Sequence, residues 1–136
     1  MNTYSREMKK FFARFLTLAA LPLISHAQYM RAEGNFVSKS AELKTIVLDS
    51  QKGVVAASAV VTAGACSGTI AGIGKMNGTT LLIEPYEKVE GGERCVLRVN
   101  FDSEWKKAKM IEGENCAPYH GDACSWEGEE VKRKGH

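Results

Sequence analysis

The sequence predicts an all-β domain, a small antiparallel meander of about seven strands that closes into a barrel or sandwich and carries two disulfides. Three observations point there. Short runs rich in β-branched residues recur at about 8–12-residue spacing with Gly, Asn and Asp between them. Asn77-Gly78 joins two such runs, and Cys66, Cys95, Cys116 and Cys124 form an even set in a chain of 136 residues. A hydrophobic content of 44% with 25% charged residues is ordinary globular usage, which excludes disordered and collagen-like chains.

The first 27 residues read as an export signal rather than as part of the fold. Lys9, Lys10 and Arg14 precede or interrupt an apolar run, Phe15 to Ile24, that ends in Ser25-His26-Ala27. This is the three-part secretory pattern, with cleavage expected after Ala27. A run of that length covers about 15 Å of a roughly 30 Å hydrocarbon core, so no membrane anchor is expected once the signal is removed. Initiation at Met8 instead of Met1 would give the same mature chain. Cleavage removes Arg6, Lys9, Lys10, Arg14 and Glu7, so the formal charge of +2 becomes −1 over 28–136. No basic footprint for nucleic acid remains. The expected location is the bacterial periplasm or the exterior. Residues 28–41, polar and without periodicity, are expected to form a flexible lead, with a single β domain over 42–134.

The strands follow in order. Leu43 to Leu48 is short and β-branched, and Asp49-Ser50-Gln51-Lys52-Gly53 supplies the turn into Val54 to Ala65, which is apolar almost throughout. Ser67 to Met76 and Thr79 to Tyr86 flank Asn77-Gly78; a two-residue type I′ turn there makes facing positions sum to 155, setting Gly72 and Gly74 against Ile83 and Leu81. Cys95, Leu97, Val99 and Phe101 alternate with Val96, Arg98, Asn100 and Asp102, a strand with one apolar face. Trp105 to Glu112 places Ala108 and Met110 opposite Lys107 and Lys109, and Trp126 to Arg133 reads as a polar edge strand.

Four cysteines allow three pairings. Because Cys66 and Cys95 both fall on inward faces, the strand pattern favours Cys66–Cys95 with a local Cys116–Cys124 ring. That ring would present Tyr119, His120 and Asp122 together, with Trp126 just beyond it, and is the candidate binding loop. The competing reading packs Tyr119 and His120 back onto the barrel end, with His120 satisfied by local carbonyls or a carboxylate. Cys116-x3-His120-x3-Cys124 is not a zinc-knuckle spacing, and disulfides consume the thiolates, so neither a metal nor a cofactor is expected. His120 and His136 are the imidazoles left after cleavage, and neither a Gly-x-Ser-x-Gly elbow nor a phosphate loop occurs. No catalytic residue is assigned and no enzymatic activity is expected.

Cys66-Ser67-Gly68, Cys95-Val96-Leu97 and the Cys116 to Cys124 loop together resemble a loose group of small exported bacterial domains. That group carries a Cys-x-Gly strand, a Cys-x-Leu strand and a Cys-x-x-Tyr-His-Gly-x-x-Cys loop. The resemblance covers about Leu43 to Arg133 and implies compartment and fold. In size, export and bridges the chain is also similar to periplasmic lysozyme inhibitors, which would imply a protein-binding barrel, although their binding-loop motif has no match here. The functional expectation is a non-enzymatic binding module of the envelope that acts through 116–124 on a basic envelope protein or a cell-wall component, with an inhibitor or immunity role. Glu112, Glu114, Asp122, Glu127, Glu129 and Glu130 around the loop would favour such a cationic partner. The alternatives are a small-ligand or metal carrier and, behind it, a hydrolase.

Overall fold

The computed structural model describes residues 25–135. The signal sequence expected over 1–27 lies outside them up to residue 24. The expected cleavage bond after Ala27 falls inside a short helix, α1 (Ser25–Met30).

Eight strands follow: β1 (Gly34–Val37), β2 (Ala41–Asp49), β3 (Val54–Ala63), β4 (Cys66–Asn77), β5 (Thr80–Pro85), β6 (Leu97–Phe101), β7 (Lys107–Glu112) and β8 (Glu130–Arg133). Each pairs antiparallel with its neighbour in the chain, and β8 pairs with β1 to close the barrel. An eight-stranded barrel is just wide enough for its own side chains to fill. Phe36, Leu43, Val55, Ile70, Leu81, Ile83, Leu97, Val99, Met110 and Val131 fill this one, all essentially without solvent contact. The alternation that predicted β6 and β7 is realised: Leu97, Val99 and Phe101 point inward with Ala108 and Met110, while Lys107 and Lys109 point out.

Three expectations about the strands are corrected. First, 28–41 is not a flexible lead, because it holds β1 and the buried Ala32 and Phe36. Thr45 organises this segment from β2: its hydroxyl donates to the Ala32 carbonyl (2.5 Å) and accepts from the Gly34 amide (3.1 Å). Phe36 then packs on Phe101, ring centroids 5.4 Å apart. Second, the last strand is no edge. Paired to β7 on one side and β1 on the other, β8 spans only Glu130–Arg133, and Trp126 lies in the preceding loop. Third, the β4–β5 loop is Gly78–Thr79. Asn77 stays in β4 and pairs with Thr80, because Gly78 has a positive φ of 60° while Asn77 does not, which a type I′ turn at Asn77-Gly78 would require. Facing positions therefore sum to 157, with Gly74 opposite Ile83 and Gly72 opposite Pro85. A shift of two preserves every face, and the Leu81 side chain still lies over Gly74.

Candidate functional site

The disulfides join Cys66 to Cys124 and Cys95 to Cys116, so the expected pairing is overturned. Cys66 opens β4 and Cys95 lies at the barrel rim two residues before β6, with β5 between those two strands. The 116–124 segment runs across the barrel end between them, and each of its cysteines meets the nearer of the two, Cα atoms 4.7 Å apart at Cys95–Cys116 and 5.8 Å at Cys66–Cys124. The segment is thus a strap pinned at both ends instead of a small projecting ring.

That strap turns its expected binding residues inward. A 3-10 turn over Ala117–Tyr119 delivers Tyr119 onto the 86–92 loop. Its hydroxyl lies 3.2 Å from the carbonyls of Glu87 and Gly92 and accepts from the Val89 amide at 3.3 Å. His120 is buried (8% exposed), with its backbone Cα and Cβ pressed against Gly68 of β4 so closely that no other residue fits there. Trp126 has no solvent contact and stands edge-on to the His120 ring at 5.2 Å. Its indole N–H has no partner among the described residues. Of the four candidate residues, only Asp122 is exposed. Tyr119 and His120 therefore follow the competing reading, packed onto the barrel end.

Glu112, at the end of β7, organises this corner. Oε2 lies 3.2 Å from His120 Nε2, while Oε1 accepts from Ser125 Oγ (2.6 Å) and from the Trp126 amide (2.5 Å). His120 Nδ1 faces the Gly121 carbonyl. A serine, an imidazole and a carboxylate are present together, but the carboxylate sits in the middle. Nucleophilic catalysis needs the imidazole between the other two, so here the three groups hold the strap to β7. In the sequence, Glu112 is one acid among several around the loop. Its partners lie 8 and 13 residues away, beyond any local spacing signal.

The accessible features lie beside the strap. One groove of about 500 Å³ runs along β4 under the 86–92 loop, lined by Thr69, Ala71, Tyr86, Glu87, Pro118 and Tyr119. A second, of about 480 Å³, crosses the outer face of β2–β4 over Ala56, Ser58, Ala71 and Gly72, between Ile46, Ile73 and Tyr86. The two share Ala71 and Tyr86, and Tyr86 is 84% exposed. Ile46, Leu48, Ile73 and Leu82 are also exposed on this side of the barrel. Registers place Ile46, Ala56 and Ile73 in one cross-strand row, with Lys44, Ser58 and Ala71 in the next. Small side chains thus floor the groove and large ones wall it. No sequence signal marked this face, because an apolar outward residue in a strand reads the same as an inward one.

Charge gathers at the same end. Glu84, Glu87, Glu90 and Glu93 beside Tyr86, and Glu114, Asp122 and Glu127 beyond the strap, are all exposed. The cations among them, Lys88 and Arg94, are within 3.9 Å of Glu84 and 3.7 Å of Glu114. Among the described residues no group of three or more His, Cys, Asp or Glu side chains is arranged to hold a metal ion, and no helix is long and apolar enough to cross a membrane. In comparisons with known proteins, the chain matches no family model, no curated protein and no solved structure.

Proposed function

We propose that the protein is an exported envelope protein, periplasmic or secreted, that acts as a non-enzymatic binding module of the inhibitor or immunity kind, and that its partner is a basic envelope protein such as a wall-degrading hydrolase. The observation that carries this reading is the position of Tyr86, an exposed aromatic standing between two apolar grooves at the edge of an acidic barrel end. Exposed tyrosines flanked by apolar floor are the usual anchors of protein interfaces, and an acidic rim steers a cationic partner toward them. The binding surface is therefore centred on Tyr86, with the strap contributing Pro118 and the edge of Tyr119. This moves the centre of the surface away from the expected 116–124 loop with Tyr119, His120, Asp122 and Trp126. Two disulfides are compatible with an oxidising compartment. Tyr29 packs against the core, so the attachment of this segment to the barrel survives cleavage after Ala27. A small-ligand carrier is less favoured because the barrel interior is filled by side chains.

The test is capture of a basic lysozyme by immobilised protein at low salt. The wild type should retain it, Tyr86→Ala should weaken retention by about tenfold or more, and Gln51→Ala, exposed in the β2–β3 turn at the other end of the barrel, should change it little. Failure of the wild type to retain any basic wall hydrolase, or equal retention by Tyr86→Ala, would overturn the reading.

A further inference from the structure

We propose that the outer face of β6, β7 and β8 is an electrostatic docking surface for an anionic phospholipid membrane. Lys107 and Lys132 are direct cross-strand partners in the β7–β8 ladder, and both are exposed. Neither enters an ion pair among the described residues. Like charges placed directly opposite weaken strand pairing; the carboxylate that feels Lys107 is Asp102, outside the ladder in the β6–β7 turn. Exposed Arg98 and Lys109 lie on the adjoining outward positions, and Lys134 extends the row beyond β8, its amide bonded to the Asn35 carbonyl. Glu130 is the one carboxylate on the outward positions of these strands, since Glu112 turns in toward His120 and Ser125. The outward positions of β2 to β5 are balanced, with Glu42 and Glu84 against Lys44 and Lys75. On a chain whose formal charge over 28–136 is −1, positive charge is thus concentrated on one side.

The chemistry of this side fits a diffuse anionic surface. All but one of its cations are lysines, point charges on flexible stems, whereas recognition of a single phosphate favours the planar guanidinium fork. They stand on outward strand positions of a convex barrel wall, and the two grooves lie elsewhere. Polybasic patches bind anionic leaflets through such additive attraction. In a closed eight-stranded barrel β7 and β8 lie across from β3 and β4, so a lipid-bound molecule would hold Tyr86 and both grooves away from the membrane.

The test is sedimentation of the exported protein with vesicles of phosphatidylcholine alone and of phosphatidylcholine with phosphatidylglycerol. Binding should require phosphatidylglycerol and weaken as salt is raised. Lys107→Glu/Lys132→Glu should lower it by at least about tenfold. Lys52→Glu/Lys75→Glu, which makes the same change in net charge on the far side, should leave it within about twofold. The single change Lys132→Glu creates a cross-strand ion pair with Lys107, so it should weaken vesicle binding without lowering the unfolding midpoint. Absence of phosphatidylglycerol-dependent binding, or an equal loss in Lys52→Glu/Lys75→Glu, would overturn the proposal. So would binding of soluble polyphosphate through this face without binding of vesicles.

Discussion

The guanidinium of Arg133 occupies the space that a side chain on Gly34 would need. From β8 it reaches over the Phe36 ring, 4.4 Å from the centroid, and donates to the carbonyls of Trp105 (2.8 Å), Glu33 (2.7 Å) and Arg31. One side chain thus ties the start of β1, the β6–β7 turn and the end of β8. Burial pulls its pKa down, but a guanidinium remains charged throughout the accessible range. Gly34→Ala should displace it and destabilise the fold by roughly 1–3 kcal/mol. Arg133→Met should cost about 2–3 kcal/mol through the lost charged hydrogen bonds. Urea unfolding midpoints check both.

At the other end of the barrel, a Cβ on Gly68 would meet the Cβ of His120 and lie 2.7 Å from its Cα. The obstacle there includes backbone, which cannot rotate away. Gly68→Ala should destabilise by roughly 2–3 kcal/mol. It should also lift the strap, so that the near-ultraviolet signal of Trp126 changes before the barrel unfolds. An unchanged signal together with an unchanged midpoint would mean that the strap is not seated as described.

Non-reducing peptide mapping should recover Cys66 joined to Cys124 and Cys95 joined to Cys116. The bridges close loops of different length, with sequence separations of 58 and 21. Chain-entropy reasoning gives about 4 and about 3 kcal/mol respectively. Cys66→Ala/Cys124→Ala should therefore lower the thermal midpoint more than Cys95→Ala/Cys116→Ala.

Asp102 sets the β6–β7 turn. Its Oδ1 accepts from the amides of Lys107 (2.9 Å) and Lys106 (2.7 Å), and the bond from Lys107 does most to hold its pKa below the ordinary 3.8. A carboxyl depressed in the folded state adds stability that is fully present above the unfolded value and is lost as pH falls through the folded one. Stability should therefore decline as pH drops below about 3.8, and Asp102→Asn should flatten that decline. Asp49 is depressed in the same way, chiefly by the Lys52 amide. It should leave a residual slope that is smaller in the double variant.

What the residues disclosed depends on how local the cause was. Leu97, Val99 and Phe101 announce β6 because alternation is written within one strand. β1 gives no such signal: four residues, one of them buried, become a strand because Thr45 and Arg133 hold them from β2 and β8. The disulfide pairing escapes the sequence for a related reason. Alternation gives the inward orientation of Cys66 and Cys95, but pairing depends on where the 116–124 segment crosses the barrel end, which no strand pattern encodes. His120 was rightly given a carboxylate partner as one possibility. Its identity, Glu112, follows from the strap's path. The groove at Tyr86 was missed because it is made of ordinary apolar strand residues that happen to face outward.

The β1–β8 seam also governs when this protein can exist as a folded object. Phe36 pairs with Arg133, so a chain emerging N-terminus first has one unpaired border at β1 and another at its newest strand until the last few residues arrive. No shorter length of it satisfies both borders. Such a molecule acquires its closed shape only once the last strand is available to pair with the first.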